Sequence, residues 1–90
     1  MPDIKVKVGD PDDVRRVELV RRIVGPELPL RIDANGAWTV DEAIARLPEF
    51  RPFDVAAVEQ PLPRGPVEDL RRVRDNADVP IMVDESLVCL

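Results

Sequence analysis

The stretch Val55-Ala56-Ala57-Val58-Glu59-Gln60-Pro61 opens on four apolar residues in succession and closes on a carboxylate, an amide and a proline. A strand with one wetted face alternates apolar with polar residues, whereas an unbroken apolar run fits a strand covered on both faces. Strands of that kind belong to parallel sheets, whose crossover helices cover them. Pro61 and Pro63 then close the run.

Reading outward extends the pattern. Before this strand, Thr39-Val40-Asp41-Glu42 fits a capping box, and Val40, Ala43, Ile44 and Leu47 form an apolar helical stripe that Pro48 and Pro52 end. Earlier still, Leu30-Arg31-Ile32-Asp33 reads as a strand. Val14, Val17, Val20 and Val24 recur at helical spacing, with Asp10 as N-cap, Pro11 at the first helical position and Gly25-Pro26 as the stop. Ile4-Lys5-Val6-Lys7-Val8 alternates as a first strand. On the other side, Val67, Leu70 and Val73 share a helix face, and Pro80-Ile81-Met82-Val83 opens a further strand. The result is an α/β chain of about four parallel strands and three helices with right-handed crossovers. Four such strands build either a small open sheet or part of a closed (β/α)8 barrel. Residues 1–90 show no linker or low-complexity stretch and read as one domain.

Composition narrows the functional classes. The chain has 90 residues, 44% of them hydrophobic, enough for a core. Thirteen basic against 18 acidic residues give a net charge of −5, which disfavours nucleic acid and anionic membranes. No apolar run approaches the roughly 20 residues of a membrane span. No signal peptide is visible, and Cys89 stands alone, so the expected compartment is the cytoplasm. Histidine is absent, which excludes a histidine-based triad or zinc site within these residues. Only two of the basic residues are lysines, Lys5 and Lys7, and they lie two apart in one strand.

One charged residue closes each strand. Lys7, Asp33, Glu59 and Asp84 follow one another at intervals of 26, 26 and 25 residues. That is an internal repeat of one strand, one helix and two loops. Each repeat delivers an ionisable group to the carboxyl end of a parallel strand, where α/β proteins build their sites. Asp33, Glu59 and Asp84 brought together repel one another and need a positive partner. Oxygen-only ligation favours a hard cation such as Mg2+ over zinc. Alternation puts Lys5 with Lys7, Arg31 with Asp33 and Asn35, and Met82 with Asp84 on a common interior face. A lysine beside a divalent cation and another lysine has its ammonium form destabilised, which suits a general base. Without a metal, Lys5 and Arg31 are placed to compensate the carboxylates.

Lys5-Val6-Lys7, Arg31-Ile32-Asp33-Ala34-Asn35-Gly36, Val58-Glu59-Gln60-Pro61 and Val83-Asp84-Glu85-Ser86 together resemble the second to fifth strands of the enolase superfamily barrel. The resemblance is greatest to the muconate lactonizing enzyme subgroup, which holds muconate cycloisomerases, o-succinylbenzoate synthases and dipeptide epimerases. Aspartate at position 84 fits that subgroup better than the mandelate racemase subgroup, which usually has glutamate there. The resemblance implies that Asp33, Glu59 and Asp84 bind Mg2+, with Mn2+ as the alternative ion. It implies Lys7 as acid/base and Lys5 as the group polarising a substrate carboxylate. The implied reaction is abstraction of a proton next to a carboxylate, through a metal-stabilised enediolate, to syn-elimination or isomerisation. Asp33-Ala34-Asn35-Gly36-Ala37-Trp38 favours the o-succinylbenzoate synthase type.

The same resemblance implies an N-terminal capping domain, further barrel strands and a second lysine after residue 90, so the 90 residues alone are expected to be inactive. Unpaired strand edges imply assembly, with a homo-oligomer as the expected form. The alternatives are a non-catalytic half-barrel or a small cation-binding module that assembles with another chain. Around the site, Arg31 reads as an interior ion-pair partner, Asn35 as a turn cap or orienting group, and Glu85 as a neighbour of the ligands or a solvent-facing residue. Trp38 reads as loop packing and Cys89 as a small apolar filler.

Overall fold

A computed structural model of the chain describes residues 4–83 and 88–89. The elements run β1 (Ile4–Lys7), α1 (Asp13–Val24), β2 (Leu30–Asp33), α2 (Val40–Arg46), a 3-10 helix (Leu47–Phe53), β3 (Ala57–Glu59), α3 (Val67–Asp75), β4 (Ile81–Val83) and β5 (Val88–Cys89). They form one sheet in the order β1-β2-β3-β4-β5. The first four strands are parallel, and β5 adds to β4 antiparallel.

Strand alternation divides the sheet into two faces of opposite chemistry. Val6, Val8, Leu30, Ile32, Val58 and Ile81 join Val17 of α1, Ala43 of α2, Leu47 and Phe50 of the 3-10 helix and Val73 of α3 in a single buried cluster. All three helices therefore cover one face, as in a segment of barrel wall. Leu30, Ile32 and Ile81 are fully buried, each contributing about 1.5–3 kcal/mol of transfer free energy. The other face carries Lys5, Lys7, Arg31, Asp33 and Glu59. Trp38 is buried against Phe50, their rings 6.3 Å apart, which is the loop packing expected of it.

The strand starts are tied by one side chain. Arg21, near the end of α1, donates to the carbonyls of Gly25 (3.0 Å), Leu28 (2.7 Å), Phe53 (2.9 Å) and Asp54 (3.1 Å). These carbonyls belong to the segments that lead into β2 and β3, so one guanidinium holds both entrances.

Four expectations need correction. Helix α1 begins at Asp13, not next to Asp10, because Asp10 is spent on a preceding turn: its Oδ1 accepts the Asp12 N–H at 3.0 Å. Pro48 does not simply end the second helical segment; it sits in the first turn of the 3-10 helix, where a missing N–H costs nothing, and Pro52 lies inside that helix. Regular pairing in β3 starts at Ala57 and ends on Glu59, two residues later than the apolar run at its start. Finally, β4 is not an open edge, since β5 pairs along it with Met82 opposite Cys89.

The capping box at α2 is present in full: Thr39 Oγ1 accepts the Glu42 N–H at 3.1 Å, and Glu42 Oε1 accepts the Thr39 N–H at 3.0 Å. Thr39→Ala should lower stability by about 1 kcal/mol in urea unfolding, and Thr39→Ser should restore most of that loss.

Candidate functional site

Parallel register builds the site row by row. Lys7, Asp33, Glu59 and Met82 are Cα partners across β1, β2, β3 and β4. Lys5, Arg31 and Ala57 form the row two residues deeper on the same face. The upper row thus holds one cation and two carboxylates, the lower row two cations and a small residue. Ala57 leaves room for the flanking cations to reach upward to Glu59.

Beyond the strand ends the ladder continues through the loops. Ala34 N donates to Glu59 O (3.0 Å), Gly36 N to Gln60 O (2.7 Å), Trp38 N to Pro61 O (3.1 Å) and Gln60 N to Met82 O (2.8 Å). Asn35 and Gln60 adopt positive φ, 49° and 46°, so each loop turns sharply just past its carboxylate. The Asn35 backbone N–H caps Asp33 Oδ1 at 2.9 Å. Gly36, at φ 72°, brings its backbone against Pro63; a Cβ there would stand 3.2 Å from the Pro63 Cα. The carboxylates are therefore held by backbone on a stiff rim.

The electrostatics are dominated by Glu59, which is 1% exposed. Lys5 Nζ lies 3.6 Å from Glu59 Oε1 and 3.9 Å from Asp33 Oδ2. Arg31 Nη1 lies 3.2 Å from Glu59 Oε2. These are ion pairs rather than aligned hydrogen bonds: Glu59 Oε2 is buried and accepts no hydrogen bond among the described residues. Lys7 is exposed, and its Nζ has no ion pair among the described residues.

The structure thus brings together Lys5, Lys7, Arg31, Asp33 and Glu59, and it gives Arg31 the interior pairing expected. Asn35 acts on Asp33 through its backbone. Asp84 and Glu85 lie outside the described residues. The row itself ends on Met82, two residues before Asp84, so the near-equal spacing of the four charged residues does not correspond to one row of Cα partners in β4. No group of three or more Asp, Glu, Cys or His residues suited to a metal occurs among the described residues. No helix there is long and apolar enough to cross a membrane.

Two side chains that the sequence did not mark stand beside the site. Asp13 is fully buried, accepts the Gly9 N–H at 3.0 Å and pairs with Arg46. Arg16 donates to the Lys7 carbonyl at 2.8 Å. A buried aspartate at the start of an amphipathic helix looks in sequence like an ordinary first-turn acid.

Comparison with known proteins gives a consistent set. A family model described as enolase C-terminal domain-like matches residues 1–90. A D-Ala-D/L-Ala epimerase from Cytophaga hutchinsonii is 40% identical over 85 residues, 92% of this chain and 23% of that protein. An o-succinylbenzoate synthase from Thermobifida fusca is 43% identical over 88 residues, 92% of this chain and 27% of that protein. The crystal structure of a racemase from Streptomyces coelicolor A3(2) with bound magnesium superposes with a TM-score of 0.88 at 36% identity, over 94% of this chain and 25% of that one. The chain spans about a quarter of the length of the relatives it matches.

Removing Arg31 while keeping Glu59 leaves a buried carboxylate whose remaining ion pair among the described residues is with the half-exposed Lys5. Arg31→Leu should cost roughly 2–3 kcal/mol in urea unfolding, and Arg31→Leu with Glu59→Leu should recover most of it, because both charges then leave the interior together.

Proposed function

The chain belongs to the enolase C-terminal domain-like family, and from that premise we propose that the protein carrying it uses Mg2+ to remove a proton next to a carboxylate. The observation that carries the reading is the row Lys7, Asp33, Glu59 across three adjacent strands, with Lys5 and Arg31 beneath it. The residues fit a hard cation. Their donors are carboxylate oxygens alone, Glu59 Oε2 is buried without a hydrogen bond among the described residues, and Asp33 Oδ1 is oriented by the Asn35 N–H. Asp33, Glu59 and Asp84 would hold the ion. When bound, Mg2+ supplies positive charge against the negative charge that develops on a substrate carboxylate.

The chain's own residues do the rest. Lys7 is nearer the strand's carboxyl end than Lys5, and its ammonium is free among the described residues to meet a substrate carbon. In its neutral form it takes the α-proton and later returns it. Lys5 sits one pleat repeat deeper, about 6.6 Å down. It faces both carboxylates and can place its charge against the substrate carboxylate as electron density shifts onto it. Arg31 pairs with Glu59 and holds its carboxylate in place.

Within this reaction, the favoured form is syn-elimination of the o-succinylbenzoate synthase type, which one lysine can serve. It is supported by the Asp33-to-Trp38 stretch and by the likeness to the Thermobifida fusca synthase. Dipeptide epimerisation is the second reading, supported by the likeness to the Cytophaga hutchinsonii epimerase. It requires a base on the opposite side of the α-carbon. The proposed whole is a (β/α)8 barrel enzyme acting on small carboxylates.

Two measurements on the complete polypeptide test the reading. By calorimetry, Asp33→Asn should weaken Mg2+ binding at least about tenfold; unchanged binding after Asn or Gln replaces Asp33, Glu59 and Asp84 together would refute the ligand assignment. Lys7→Arg keeps the charge but cannot accept a proton. It should cut solvent-deuterium incorporation at the α-carbon by about 10²–10⁴-fold, and substantial surviving exchange would move the base elsewhere.

A further inference from the structure

We infer that Arg16 and Asp13, one helical turn apart on α1, are positioning residues for Lys7. The inference rests on the reading of Lys7 as the base. Lys7 carries a flexible four-carbon side chain, and its ammonium has no ion-pair partner among the described residues. Its placement is therefore set by its backbone. That backbone is held by α1 at the Lys7 carbonyl and again at Gly9. Arg16 Nη1 donates to the Lys7 carbonyl at 2.8 Å, while Arg16 Nη2 is itself steadied by Asp10 Oδ2 at 3.0 Å. Two residues on, Asp13 Oδ2 accepts the Gly9 N–H at 3.0 Å. Between them Val8 N donates to Asp33 O at 2.9 Å, which ties the same segment to the strand bearing the first carboxylate.

Each anchor is itself anchored. Asp13 is fully buried, and its other oxygen pairs with Arg46 of α2, whose Nε lies 3.2 Å from Glu49 Oε1. The helix after Lys7 is thereby joined to the helix after Asp33. Gly9 adopts φ 113°, and a Cβ there would stand 2.7 Å from the Ala37 Cβ, so the loops after β1 and β2 are in contact at this point. A shift of α1 against α2 would pass straight into the distance between the Lys7 amine and the Asp33 carboxylate. Displacement of a reacting group by about 1 Å can cost on the order of 10²-fold in rate.

Arg16 is the residue to test, since its side chain is 41% exposed and its loss leaves the core intact. The complete polypeptide is assayed with Mg2+ for deuterium exchange into D-alanyl-D-alanine and for o-succinylbenzoate formation. Arg16→Leu should lower kcat about 10–100-fold, with KM and the Mg2+ dissociation constant within about twofold of wild type. Arg16→Lys, which can still donate to the Lys7 carbonyl, should recover most of the loss. Arg15→Leu removes the same charge from an exposed position on the same helix and should leave kcat unchanged. Amide exchange at Val8 and Gly9 should accelerate in Arg16→Leu while that of Ile32 does not. An unchanged kcat in Arg16→Leu overturns the inference. So does a parallel loss of kcat, Mg2+ affinity and Ile32 protection, which marks a general structural role. If the wild type turns over neither substrate, the proposed reaction is wrong, and the amide exchange alone then decides whether α1 clamps the Lys7 segment.

Discussion

A carboxylate 1% exposed at the end of a central strand is the constraint around which this chain is organised. Glu59 ends β3 with β2 on one side and β4 on the other. An ionised group in that place is costly unless cations stand close by. Lys5 and Arg31 stand one row deeper on β1 and β2 and reach it diagonally, at 3.6 and 3.2 Å. That diagonal requires a parallel sheet in one register and a small residue at Ala57. A slip of one residue in β1 or β2 would turn Lys5 or Arg31 toward the helices and take it from the carboxylate. The charged interior face thus specifies register as firmly as the apolar face does.

The apolar face supplies the stability that makes the charged face affordable. Three helices and a 3-10 segment press on Val6, Leu30, Ile32, Val58 and Ile81 from one side. The asymmetry leaves the other face free to carry ionisable groups beside Ala57 and Met82, which is how barrel interiors carry chemistry. Likeness to an epimerase, a synthase and a racemase fits this division, because those proteins share this segment of wall while they carry out different reactions.

Much of this was legible in the residues, because it depends on local period. The 26-residue spacing placed Lys7, Asp33 and Glu59 correctly in one row, and Thr39 to Glu42 announced a helix start that exists as read. Illegible parts depend on partners distant in sequence. Nothing local says that Asp13 meets Arg46, or that Arg21 serves carbonyls on two loops. Asp10 carried the stronger local signal for a helix cap, yet its side chain closed a turn instead. The β4 row ends on Met82 because interstrand register belongs to pairing and not to spacing along the chain. Nor did the apolar run Val55 to Val58 show where pairing starts; its first two residues serve as the approach to the strand.

Arg21 and the rim at Asn35 and Gln60 lie at opposite ends of the same strands, and they give the two ends different freedoms. Where the strands begin, one guanidinium clasps four carbonyls, and its hold does not depend on which side chains those residues carry. Where the strands finish, backbone bonds stiffen the loops and the side chains above them are left to vary. Evolution can therefore rewrite the chemistry at one end without renegotiating assembly at the other. A designer grafting new loops onto this wall would do well to leave Arg21 and its carbonyls alone and to spend every substitution past Asp33 and Glu59.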